Sequence, residues 1–121
     1  MNLSALRAWL AASLVLCGSA FGFDIIKDGK PAATILLPAQ ASAIEQDSAK
    51  TLVKYLKQAS GAELSVIVEP AEPKGSVISV GATALAQKAG VNASGLQADG
   101  YRLAVKGGAL FVIGRDTPFI V

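Results

Sequence analysis

The 121 residues carry 11 basic and 9 acidic side chains, one cysteine and no histidine, and 52% of them are apolar. A charge balance this close to neutral leaves no electrostatic footprint for nucleic acid or for an acidic lipid surface. Without histidine, the usual ligands of transition metals and the usual base of nucleophilic catalysis are missing, so no metal or other cofactor is expected.

The chain opens with Arg7 ahead of an apolar run, Ala8 to Leu16. The run is shorter than the roughly 20 residues that span a bilayer, so residues 1–22 read as a signal peptide rather than an anchor. Ala20-Phe21-Gly22 offers small residues at the positions a signal peptidase inspects, which predicts cleavage between Gly22 and Phe23, with Phe21 as the next choice for the new terminus. Cys17 follows Leu16, where a lipid-attachment site wants a small residue, so the only thiol leaves with the leader. Removing 22 of the 121 residues leaves 99, and Arg7 is the one charged side chain lost. The expected product is a single exported domain, periplasmic or extracellular, held by packing and not by disulfides.

Phe23–Lys27 and Ala32–Leu37 read as strands joined around Asp28-Gly29, a strong hairpin signal. Pro31 suits an edge or a strand start, and Pro38 closes the second strand. Ser42-Ala43-Ile44-Glu45 is a capping box, so a helix is expected at once. Its apolar stripe is Ile44, Leu52, Val53, Leu56 and Ala59; acids sit early and lysines late, and Gly61 supplies the stop. Leu64–Val68 and Ser76–Val80 are β-branched runs and read as strands. Gly81 opens a short helix that Gly90 ends, and Val91–Asp99 reads as loop.

Gly100–Lys106 and Ala109–Arg115 form a second hairpin about Gly107-Gly108. Its register pairs Lys106 with Ala109, Val105 with Leu110, Leu103 with Val112 and Tyr101 with Gly114. The side carrying Val105, Leu103, Leu110 and Val112 reads as core, while the other side, Ala104, Phe111, Arg102 and Ile113, is half apolar. The whole reads as an α+β fold, a two-layer α/β sandwich with a mixed sheet and both helices on one face. Much of the opposite face is then left apolar and uncovered.

Chemistry-bearing residues are sparse. A glycosidase needs two carboxyl groups astride its bond, and Glu69 with Glu72 or Asp99 with Asp116 are the available pairs, but both stand among prolines and turn glycines where carboxylates are usually solvated. Ser76, Ser79 and Thr83 have hydroxyls, with only Lys74 or Lys88 to act as base. Gly81-Ala82-Thr83 lies between strand and helix like a phosphate-binding turn, yet lacks the Gly-x-Gly-x-x-Gly pattern and a Walker lysine; a capped helix start accounts for it. Asn92-Ala93-Ser94 matches a glycosylation acceptor, but the export signal looks bacterial, so the match reads as coincidence. No catalytic residue is assigned. Phe23, Tyr55, Tyr101, Phe111 and Phe119 are too few aromatics for a sugar-stacking platform.

Four segments together carry a resemblance: FDIIKDGKPAATILLP from Phe23, DSAKTLVKYLKQASGAEL from Asp47, KGSVISVGATALAQKAG from Lys74, and DGYRLAVKGGALFVIGRD from Asp99. Within them, Tyr55–Ala62 reads Y-L-x-x-x-S-G-A, Ile78–Gly81 reads I-S-V-G, and D-G-Y-R at Asp99–Arg102 is followed by G-R-D at Gly114–Asp116. Residues 23–116 resemble the small α/β domain that precedes the catalytic barrel in carbohydrate-active enzymes. It is β-hexosaminidase domain 2-like and also similar to the N-terminal domain of α-glucuronidases. The resemblance implies an accessory domain without catalytic residues, whose partner is a (β/α)8 catalytic domain. Residues 117–121 depart from the family's continuation into the barrel and read as a truncated tail. Arg115 and Asp116 are the candidates for an interdomain contact through charge-assisted hydrogen bonds. The alternative is a free-standing exported binding module that uses an uncovered sheet face.

Overall fold

A computed structural model describes residues 23–115. The leader, the cleavage residue Gly22, Asp116 and the 117–121 tail lie outside the described residues. The fold is a mixed α/β arrangement, one five-stranded sheet with two helices.

A short antiparallel ladder comes first, β1 (Ile26–Lys27) with β2 (Lys30–Pro31), turning at Asp28 and Gly29, both at positive φ. The turn is where the sequence places it, but Ala33–Leu37 does not stay in that hairpin: as β3 it enters the main sheet. Helix α1 (Ala43–Ser60) follows, then β4 (Val66–Val68), β5 (Ser76–Val80), α2 (Ala84–Lys88), β6 (Tyr101–Lys106) and β7 (Ala109–Gly114). The sheet order is β4-β3-β5-β7-β6, with β6 antiparallel to β7 and the other pairs parallel. The β6–β7 register is the one that the Gly107-Gly108 turn predicts, from Lys106 opposite Ala109 to Tyr101 opposite Gly114.

Alternation assigns the faces. Ile35, Ile78 and Leu110 stand in register on face A, and Leu36, Ser79 and Phe111 on face B. Ala49 of α1 packs with Ala33, Ile35, Leu37, Ile78 and Val80 on face A. Ala86 of α2 and the following Val91 pack with Leu36, Val77, Phe111 and Ile113 on face B. The expectation of both helices on one face is therefore corrected: each face has one. The reason is that β3 and β5 are apolar on both faces and need a cover on each. Helix α1, between the parallel β3 and β4, covers face A, and α2, which leads from β5 into the antiparallel β6, covers face B.

The hairpin faces are corrected for the same reason. Phe111, Ala109 and Ile113 are buried beneath α2 and the loop after it, while Leu103, Val105 and Tyr101, on the side read as core, are exposed. Helix α1 reaches β3 and β5, with its buried line on Ala49, and Ile44 and Ala59 of the predicted stripe stay exposed. Phe111→Ala should lower unfolding free energy by about 3–5 kcal/mol through cavity formation. In the monomer, Leu103→Thr should change it by no more than about 0.5 kcal/mol, because that side chain is in water there. Urea denaturation of both variants checks the assignment, and equal costs would contradict it.

Candidate functional site

Where two connections leave a parallel sheet toward opposite edges, the strand ends part and leave a crevice, the usual ligand position in open α/β sheets. Here the crevice lies past β3 and β5, and the chain fills it with its own groups. Ser42 accepts the Glu45 amide at 3.1 Å and donates its own amide to Glu45 Oε1 at 3.0 Å, completing the expected capping box. The second carboxylate oxygen of Glu45 rests on Gly81, where an added Cβ would fall 1.6 Å from Oε2. Gly81 has φ +83°, so it meets two demands at once: a left-handed backbone and the close approach of a carboxylate.

The neighbouring helix start is equally occupied. The Ala84 amide donates to Glu69 Oε1 at 2.8 Å, and the Ala86 amide donates to Thr83 Oγ1 at 2.9 Å. Gly81 N–H donates to Val112 O and Thr83 N–H to Gly81 O. The turn that resembles a phosphate site in sequence therefore spends its amides internally. The Ser79 and Thr83 hydroxyls are 2.6 Å apart and buried, so both candidate nucleophiles satisfy each other and the α2 cap.

Glu69 and Glu72 line the same groove on face B, a space of about 880 Å³ between the β4–β5 connection, α2 and the Gly107-Gly108 turn. Leu36, Val77 and Phe111 form its apolar floor, and Lys88 and Lys106 stand on its rim. The Asp99 amide donates to Arg115 O, while its proposed partner Asp116 is outside the described residues. Lys74 is exposed just before β5, and Ser76 is the half-buried first residue of that strand, apart from Ser79 and Thr83. Among the described residues, no group of three or more histidine, cysteine or acidic side chains is gathered to hold a metal, and no helix is long and apolar enough to cross a membrane.

The candidate interdomain residue Arg115 turns onto its own domain: its guanidinium donates to Leu96 O at 2.7 Å. Arg102 likewise donates to Asn92 O and Ser94 O, and Lys106 to Ala89 O. Three cations from the last hairpin thus hold down the 89–96 segment over face B, a role that charge pattern alone does not reveal.

What remains open is an apolar trough on face A. Tyr101, Leu103 and Val105 are 73%, 59% and 61% exposed, beside the half-buried Leu110 and Val112. Gln46 and Lys50 on one flank of α1 border Val66 and Val68 of β4. Ile44, Ser48, Leu52 and Tyr55 lie together on the other flank of α1, the one turned away from β4. Sequence reasoning misses this site by one step, because the residues that line it look like a core. No protein-family model, curated protein or solved structure matches the chain.

The crevice makes a measurable claim. Gly81→Ala should cost about 1–3 kcal/mol, combining left-handed strain with displacement of the Glu45 cap. In a Glu45→Ala background the same change should cost less by about 0.5–1 kcal/mol, because the collision is gone. A thermal or urea double-mutant cycle reads the difference, and strict additivity would place Glu45 away from Gly81.

Proposed function

We propose that the chain is an accessory domain of an exported glycoside-hydrolase-like protein, seated by face A on a (β/α)8 catalytic barrel. The resemblance of residues 23–116 to the domain before such barrels motivates the partner. The observation that carries the reading is the trough. A run of three exposed apolar side chains on one strand, Tyr101, Leu103 and Val105, is the kind of surface that monomeric proteins keep small. The domain's part is to present and steady the barrel, and bond cleavage belongs to carboxylates outside this chain.

One observation favours a second reading, a free-standing binding module: the groove on face B, with its apolar floor and the charged rim of Glu72, Lys88 and Lys106. A space of that size suits a small ligand. The two readings differ in what the purified chain does. An accessory domain should bind a hydrophobic dye on face A and carry no ligand through native mass spectrometry. Tyr101→Lys with Val105→Lys should lower dye fluorescence by at least about half while leaving the melting temperature unchanged at dilutions where the chain is monomeric. A bound small molecule, together with dye binding indifferent to those substitutions, would replace the accessory reading with the module. The coding DNA beyond Val121 is a second check, since a barrel encoded there supports the accessory role.

A further inference from the structure

Among the described residues, β6 ends the sheet and no strand pairs with its outer edge. Arg115 N–H donates to Gly100 O across the hairpin, and Lys106 stands opposite Ala109 at a two-residue turn. Alternation then turns the amides and carbonyls of residues 100, 102, 104 and 106 toward β7, and those of Tyr101, Leu103 and Val105 outward. These are the same three residues whose side chains stand exposed on face A.

Natural edges are protected by charge, proline, a bulge or a covering segment. On β6 the charges lie on face B, away from the outward backbone of Tyr101, Leu103 and Val105. Arg102 is drawn onto the carbonyls of Asn92 and Ser94, and Lys106 onto that of Ala89, all on face B. No proline interrupts the strand, and every residue from Tyr101 to Lys106 keeps an opposite partner on β7.

We infer that two copies of this chain pair antiparallel through their β6 edges, with Leu103 opposite Leu103 of the second copy. In that register Tyr101 stands opposite Val105, so apolar side chains meet along face A, and Arg102 stands opposite Ala104 on face B. The outward amides and carbonyls of Tyr101, Leu103 and Val105 all find partners across a two-fold axis. Charge selects the register. Only shifts by two residues again bring outward groups together; one such shift opposes Arg102 to Arg102, and the other opposes Arg102 to Lys106. The strand is thus self-complementary in one alignment and repelled in its neighbours. The pairing uses backbone groups, so it does not rest on the accessory reading, which uses the side chains of face A.

Sedimentation of the purified chain across a dilution series, with hydrogen exchange at the ends of the series, tests the inference. The expected result is a monomer–dimer equilibrium in which the Tyr101, Leu103 and Val105 amides slow their exchange as dimer accumulates. Leu103→Lys, which sets two cations against each other at the axis, should raise the dissociation constant by at least about tenfold. Leu103→Pro removes an outward donor without breaking an internal bond and should also abolish the dimer. A chain monomeric throughout overturns the inference, as does a dimer whose three outward amides exchange as fast as in the monomer. If either variant fails to fold, the exchange of the unaltered chain decides alone.

Discussion

Everything in this domain follows from the need to bury two central parallel strands on both faces. Ile35 and Leu36, neighbours in β3, point to opposite faces, and both are buried to within 1% of complete. Ile78 and Ser79 repeat the pattern in β5. A strand buried on both sides needs a cover above and below, and a chain with two helices has one for each. Helix α1, between β3 and β4, takes face A, and α2, between β5 and β6, takes face B. With one helix per face, neither can cover a whole five-stranded face. Helix α1 takes the centre of face A, Leu110 and Val112 of β7 are half-buried against that core, and the edge strands β4 and β6 keep exposed apolar side chains on that face.

The polar groups follow from the same division. Carboxylates from Glu45 and Glu69 close the helix starts beside the crevice, and the hydroxyls of Ser79 and Thr83 close on each other beneath it. Among the described residues, no buried side-chain polar atom lacks a partner. Helix α2 is short, so the segment after it must cover the rest of face B without regular structure. Its free carbonyls are met by Arg102, Lys106 and Arg115. Completing face B therefore withdraws from β6 the charges that would otherwise guard its edge. The bare trough and the open edge are two results of one distribution of resources.

Local chemistry was the most legible part of the sequence. The capping box at Ser42 and Glu45, the stop at Gly61, the Asp28-Gly29 turn and the full register of the last hairpin all depend on residues close in the chain, where propensity and turn geometry act directly. Burial on both faces of the central strands was also legible from unbroken apolar runs such as Ile35-Leu36-Leu37. The placement of the helices was not, because it depends on the order of the strands in the sheet, which no local pattern records. The hairpin shows the consequence. Leu103 and Val105 are as apolar as Phe111 and Ile113, so composition cannot rank the two sides, and only the position of α2 makes the latter the core. The Arg115 contact was hidden in another way: a cation at a strand end looks the same whether it meets a partner protein or a carbonyl of its own loop.

The trough and the β6 edge meet at the same three residues but ask different things of a partner. Side chains on face A reward any apolar surface of matching shape, and a large rigid domain supplies more of it than a peptide can. Backbone groups on the edge reward only an extended strand, with the register set by what stands opposite Arg102. Pairing two β6 strands would join two troughs into one wider floor between two copies of α1 without filling it. Edge pairing and face docking are therefore compatible in geometry. A partner that covered the β6 margin as well as the trough would shield the outward amides and exclude the second copy. Competition between the two is then a direct measure of how far the partner's footprint extends beyond β7.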